Sequence, residues 1–152
     1  MKYEVRQATV DDLFQLAQLF DLYRQFYGYN SNLDKCQEYI ESRLANKESI
    51  IFIAENNEKK LLGFCQSYPT FCSLEVAPIM IFNDLYTLSE ARNLGVATGL
   101  LKSTEKYASE AGFVRMELTT AITNSTAQSL YKSLGWEKDN IYWAYSKNVV
   151  CL

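Results

Sequence analysis

Arg92-Asn93-Leu94-Gly95-Val96-Ala97-Thr98-Gly99 follows the strand-like run Asp84-Leu85-Tyr86-Thr87 across a short polar connection and leads straight into the longest helical pattern in the chain. The chemistry this arrangement suits is the binding of a pyrophosphate. Amides at a helix N-terminus have no intrahelical acceptor, carry partial positive charge and can be aimed at an anion. Gly95 and Ala97 leave the approach open because neither bears a bulky side chain. Other phosphate loops fail on inspection: no Gly-Lys-Ser/Thr completes a Walker A loop, and the segment from Gly95 to Gly99 is not Gly-x-Gly-x-x-Gly. The remaining Arg-x-x-Gly-x-Ala pattern is equally met by a loop that needs Gly95 only to turn.

The chain contains no His, which removes Ser-His-Asp and Cys-His nucleophile pairs and leaves Asp, Glu, Tyr, Lys or water to move protons. Cys36, Cys65, Cys72 and Cys151 form no Cys-x-x-Cys pair, so neither a zinc site nor another metal is expected.

These residues need elements to position them. Tyr3 to Ala8 alternates as a strand, and Thr9 with Asp11 and Asp12 starts a helix in which Leu13, Leu16, Ala17, Leu19, Phe20 and Tyr23 form one apolar face. Gly28 to Asn32 breaks it. A second helix is expected over Leu33 to Ala45, with Cys36, Tyr39, Ile40 and Leu44 inward. Ile50 to Ala54 and Leu61 to Tyr68 read as a hairpin around the polar turn Asn56 to Lys60. A strand from Val76 to Thr87, a helix from Val96 to Ala111 stopped by Gly112, and a strand from Met116 to Thr120 complete the middle. Asn124 to Leu134 reads as a helix ended by Gly135, and Trp136 to Lys147 as the final strands. The expected class is α+β, with a strand–helix–strand unit at its centre.

Asn124-Ser125-Thr126-Ala127-Gln128-Ser129-Leu130-Tyr131-Lys132-Ser133-Leu134-Gly135-Trp136 is the second informative segment. Here the chain resembles the GNAT acetyltransferases, in which Arg/Gln-x-x-Gly-x-Gly/Ala is followed about thirty residues later by Asn-x-x-Ala-x-x-x-Tyr-x-x-x-Gly-Phe/Trp. Arg92, Gly95, Ala97, Asn124, Ala127, Tyr131, Gly135 and Trp136 match in order. Arg6 to Asp12 is similar to the family's first strand and helix start, so the resemblance covers nearly the whole chain. The runs Leu19 to Tyr27, Gln66 to Pro69 and Asn83 to Tyr86 are similar to a subgroup of fungal histone and polyamine acetyltransferases and bacterial relatives.

The resemblance implies a single GNAT domain over residues 1–152, built on a mixed central sheet of about seven strands with flanking helices. It implies acetyl-CoA as co-substrate and direct transfer of its acetyl group to a primary amine, of a small molecule such as a polyamine or amino acid. A protein or peptide acceptor, and a silent acyl-CoA-binding module, are the alternatives. In acyl transfer a neutral amine attacks the thioester carbonyl, the oxyanion is held and the thiolate leaves. Carried over, the stretch Leu85, Tyr86 and Thr87 holds the acetyl-pantetheine arm, the backbone of Leu85 and Thr87 pairing with it as with an added strand. Amides of Asn93, Leu94, Gly95, Val96, Ala97 and Thr98 hold the pyrophosphate, flanked by Arg92. Asn124 orients the pantetheine amides, and Tyr131 gives a hydrogen bond or proton to the departing thiolate.

Many relatives carry Glu where Asn83 stands, and Asn accepts no proton at neutral pH. Asp84, next along the strand and expected on the opposite face, is the carboxylate candidate, with a water chain drawing on Asp84, Glu117 or tyrosine hydroxyls as the other route. Tyr23, Phe26, Tyr27 and Tyr29 are candidates to line a cationic-amine site or simply to pack a helix end. Glu38 and Glu41 read as a solvated face.

The bulk properties are those of a globular protein. Apolar residues are 48% and charged residues 22% of 152, and the net charge of −3 offers no basic field for nucleic acid or an anionic membrane. No run approaches the roughly 18 apolar residues of a membrane span, and Met1 to Arg6 lacks a secretory signal's apolar core. The expectation is a cytoplasmic protein, with the apolar tail Val149 to Leu152 contributing to a homodimer.

Overall fold

Ile50 to Ala54 is apolar at every position, as a strand covered on both faces must be, and it forms the second strand of the sheet. A computed structural model of the chain describes residues 2–149. By its contacts the chain divides after Thr119 into two units.

The first unit carries a five-stranded sheet: β1 (Tyr3–Gln7), β2 (Ile50–Asn56), β3 (Leu61–Cys72), β4 (Ala77–Thr87) and β5 (Met116–Glu117), in that spatial order. The first four are antiparallel neighbours, and β5 lies parallel to β4. The parallel pair is joined by a helix, α3 (Val96–Glu110), because a parallel return needs a crossover. α3 covers one face through Leu100, Leu101, Thr104 and Ala108. On the other face lie α1 (Leu13–Phe26) and α2 (Leu33–Ala45), whose Leu16, Leu19, Phe20, Cys36 and Ile40 pack with Ile51, Ile53, Leu61 and Phe64.

The helix expected from Thr9 opens as a single 3-10 turn, Val10–Asp12, before α1. The Asp12 carboxylate accepts from the Thr9 amide at 2.8 Å and from Arg6 at 2.7 and 2.8 Å. Arg6 also reaches Glu55 at 3.0 Å, and its guanidinium holds both carboxyls below their ordinary values. Of the inward set on α2, Cys36 and Ile40 are buried, whereas Tyr39 lies at the rim with its ring stacked on Phe20. Cys36, Cys65 and Cys72 are free thiols; Cys65 is enclosed by α3, and burial pushes its thiol up to about 12.

The α1–α2 turn is fastened by Asp21, a buried carboxylate the sequence reading passed over. It accepts from Ser31 Oγ at 2.6 Å, the Asn32 amide at 2.8 Å and Gln25 Nε2 at 2.9 Å, and these donors outweigh its burial to lower its pKa.

In the second unit, α4 (Ser125–Ser133) is capped by Asn124, whose Oδ1 accepts from the Ala127 amide at 3.1 Å. Gly135 stops it in the left-handed region at φ +85°. The expected final strands over Trp136 to Lys147 are absent among the described residues, so the sheet has five strands rather than about seven. Asp139 Oδ1 accepts from the amides of Ile141 at 2.7 Å and Tyr142 at 3.2 Å, a local turn that takes amides a ladder would use. β-Branched and aromatic residues mark strand material, but a strand exists only where a neighbour completes its hydrogen bonds. The strand expected over Met116 to Thr120 is likewise cut to Met116–Glu117. Residues 150–152 of the tail expected at a dimer interface lie outside the described residues.

Candidate active site

The loop before α3 is shaped by two left-handed residues, Asn93 at φ +60° and Gly95 at φ +80°. Asn is one of the few side chains that tolerates this region, and Gly has no penalty there. Alternation of left- and right-handed residues turns successive amides to one side, making a concave anion site. The first intrahelical bond runs from the Gly99 amide to the Gly95 carbonyl at 2.9 Å. The amides of Val96, Ala97 and Thr98 therefore precede the helical ladder, as an anion site requires.

Val96 is buried and anchors the helix start, while Arg92, Asn93, Leu94 and Gly95 are exposed. Arg92 Nε lies 3.4 Å from the Thr87 carbonyl, which brings its cation beside the strand end. The connection between them is fixed by the Leu88 amide on the Leu62 carbonyl at 2.9 Å. A methyl group on Gly63 would sit 2.6 Å from the Tyr86 carbonyl oxygen, so Gly63 sets how closely the end of β4 approaches β3.

β4 pairs with β5 only at Met80 and Ile81. Beyond that point, the β4 edge on that side has no ladder partner among the described residues, and it includes Leu85, Tyr86 and Thr87. Thr87 Oγ1 is buried without a hydrogen-bond partner. An edge that can accept an added strand, an unpartnered hydroxyl and a cradle of free amides with Arg92 all fit a CoA chain with its diphosphate.

The carboxylate candidate is set by an irregularity of β4. The β3–β4 register passes from Gln66↔Asp84 to Ser67↔Phe82, which leaves Asn83 as the extra residue of a bulge. Asn83 is exposed and Asp84 only 4% exposed. The Asp84 carboxylate accepts from Gln66 Nε2 at 2.8 Å and Asn83 Nδ2 at 2.9 Å, and Gln66 in turn accepts from Ser49 Oγ at 2.8 Å. The Tyr23 phenol lies close to Asp84; burial first, then the Asp84 charge, raises its pKa and keeps it protonated. Tyr68, which shares a 2.6 Å hydrogen bond with Tyr39, is raised by burial, by that bond and by the same carboxylate. Gln66 and Tyr68 were legible only as part of a similarity; their role here comes from strand register.

The aromatic residues at the end of α1 divide. Tyr23 packs edge-on against Phe64 and belongs to both core and site. Tyr27 packs edge-on against Tyr23, and Phe26 against Tyr27. Tyr29 already carries a cation, with the Arg24 guanidinium 5.4 Å from its ring centroid. Glu117 is exposed and held by Arg115 at 2.7 and 2.9 Å. Glu38 and Glu41 are exposed.

Asn124 and Tyr131 belong to the second unit. They are seven residues apart, two turns of helix, and so share a face of α4. The Tyr131 ring lies 6.1 Å from that of Trp136, whose amide bonds to the Tyr131 carbonyl at 3.0 Å. Among the described residues no group of His, Cys, Asp and Glu side chains could hold a metal ion, and no helix is long and apolar enough to cross a membrane.

Comparison with known proteins agrees with this geometry. A model of the acetyltransferase (GNAT) family matches residues 16–136. The chain is 39% identical over 145 residues to a Bacillus subtilis (strain 168) protein named uncharacterized N-acetyltransferase YhfO, covering 95% of this chain and 97% of that one. It is similar to the crystal structure of a probable acetyltransferase, with a TM-score of 0.92 and 40% identity over 97% of this chain and 99% of that one. AAC(6')-Iy in complex with the bisubstrate analog CoA-S-monomethyl-acetylneamine shares the fold, with a TM-score of 0.81 at 20% identity over 98% of this chain and all of that one. With the mixed sheet, the left-handed loop before α3 and a family match over most of its length, the chain belongs to the GNAT family of N-acetyltransferases.

Proposed function

We propose that the enzyme transfers the acetyl group of acetyl-CoA directly to the primary amine of a small molecule. Acetyl-CoA supplies a thioester carbonyl open to attack by a neutral amine. The amides of Val96, Ala97 and Thr98, with those of Asn93, Leu94 and Gly95 and the cation of Arg92, bind the diphosphate. The free edge of β4 at Leu85 and Thr87, with Tyr86 between them, orients the arm. The proton shed by the amine goes to Asp84, within one polar chain with Asn83, Gln66 and Tyr23.

The observation that carries the reading is this corner: a carboxylate 4% exposed, fenced by Tyr23 and the bulged Asn83. Such a place admits the slender head of a cationic amine and discourages a broad polypeptide surface. An acetyl-CoA assay reading free thiol, run against polyamines, amino acids, aminoglycosides and lysine peptides, tests it. Turnover is expected with one or more small amines. Turnover confined to peptides, or CoA binding without turnover on any amine, would overturn it.

Tyr131 is assigned the proton or hydrogen bond for the leaving sulfur, an assignment supported by its place after Asn124 in the family pattern. Tyr131→Phe keeps the ring and is expected to lower kcat about 10²-fold, the lower end for general-acid assistance because a thiolate leaves readily. KM for acetyl-CoA and Tm should be unchanged. A wild-type kcat from pH 6 to 9 would remove Tyr131 from the mechanism, and a raised KM alone would mark a ground-state contact.

A further inference from the structure

Asp84 is the inner end of a row of side chains that runs outward along β3 and onto α2. Phe64, Gln66 and Tyr68 alternate along β3 and share the face that packs against the two helices. One step outward from Gln66, the hydroxyls of Tyr68 and Tyr39 share a hydrogen bond at 2.6 Å. One helical turn beyond Tyr39, the Arg43 guanidinium lies over the Tyr39 ring, 4.5 Å from its centroid. Tyr68 stands in the field of both ends: the Asp84 charge raises its pKa and the Arg43 charge opposes that rise. Between the ends the floor is aromatic, with Phe20 stacked on Tyr39 at 5.4 Å and on Tyr23 at 6.1 Å.

The geometry points to an acceptor that carries a carboxylate as well as its amine, joined by a flexible chain several carbons long, with Arg43 as the residue that selects it. Such a molecule is an ω-amino acid, or a basic amino acid acetylated on its side-chain amine. Its amine meets the carboxylate at the inner end, its methylenes lie on the aromatic floor, and its carboxylate meets the cation at the outer end. Arg43 is prepared for that contact. The Tyr39 ring and Glu48, which accepts from Arg43 Nε at 2.6 Å, hold the fork in one orientation, while its side chain stays 24% exposed. A guanidinium has more donors than that one bond uses, and their planar spacing suits the two oxygens of a carboxylate. The steps of about 6.6 Å along β3 and about 6 Å along α2 set the two charges too far apart for groups on a single carbon. A diamine of the same length would bring its second cation up to Arg43, a like-charge contact. The assignment rests on the acetyl-transfer reading with Asp84 as proton acceptor.

The test is kcat/KM for lysine, lysinamide, aminocaproate and cadaverine, read as thiol released from acetyl-CoA. Wild-type enzyme should favour lysine over lysinamide, and aminocaproate over cadaverine, by at least about tenfold, the worth of one charge-assisted hydrogen bond. Arg43→Gln should bring both ratios close to unity by raising KM for the carboxylated amines. Arg43→Lys, which keeps the charge without the fork, should recover part of the preference. Each ratio is taken within one protein, so a partial loss of folded enzyme cancels. Ratios near unity in the wild-type enzyme, a preference for cadaverine, or a preference that survives Arg43→Gln would overturn the assignment and leave acetyl transfer to small amines standing. Thiol release with no small amine at all would remove that underlying reading, and the assignment with it.

Discussion

Asp84→Asn is expected to lower kcat by about 10²–10⁴-fold, the range by which a positioned base accelerates a proton transfer, while acetyl-CoA binding is unchanged. The substitution is nearly isosteric; its amide oxygen still accepts one of the bonds from Gln66 and Asn83, while its amide nitrogen can donate to a phenol oxygen such as that of Tyr23, so the corner keeps its volume at the loss of one accepted bond. What it removes is the capacity to take up a proton. The separation of effects rests on position: Asp84 sits at the bulge, whereas the amides proposed to hold the diphosphate lie past residue 92. Tyr23→Phe should have a smaller effect, because it removes a hydroxyl beside the carboxylate and leaves the carboxylate in place. Stopped-flow measurement of the acetyl-transfer step, with calorimetry for acetyl-CoA, separates binding from chemistry. An Asp84→Asn enzyme with wild-type single-turnover rates would assign the proton to solvent and reduce Asp84 to a structural role.

Gly95→Val should weaken acetyl-CoA binding at least about 100-fold, for two reasons that can be separated. A branched side chain would project into the path of the phosphates, and the backbone at φ +80° belongs to a region that costs an L-residue about 1–2 kcal/mol. Gly112, at the other end of α3, provides the control: it has φ +83°, and an added methyl there would meet nothing within 4 Å. Gly112→Ala should therefore lose a similar amount of stability and bind acetyl-CoA normally, whereas Gly95→Ala should lose both. Calorimetric affinity and thermal unfolding on the three variants decide the matter. Unchanged affinity in a folded Gly95→Val protein would move the diphosphate elsewhere.

The helices, the inner strands and the proposed cradle were legible in the chain because each is dictated by neighbours a few residues away. The face of α1 follows from a 3.6-residue period. The start of α3 follows from Gly95, and its end from Gly112. The hairpin of β2 and β3 follows from two apolar runs around a polar turn, and Asn124 and Gly135 bracket α4 as their cap chemistry requires. The proposed anion site is legible for the same reason, being made of backbone amides whose direction is set by residues 93 to 98.

Tertiary structure alone decided the rest. Asp84 looked like the neighbour of a missing base; the bulge at Asn83 and the register with Gln66 made it a buried carboxylate with two side-chain donors, one of them from β3, and the Tyr23 phenol close by. Nothing near Asp84 in the chain predicts Tyr23, which is sixty-one residues away and arrives because α1 packs over β3 and β4. Asp21, similarly, is an ordinary helical residue until Ser31 and Asn32 fold back onto it. The final strands show the reverse case. Their run of β-branched and aromatic residues is plain in the sequence, yet a strand takes its stability from hydrogen bonds to a neighbour, and no local pattern states where that neighbour is.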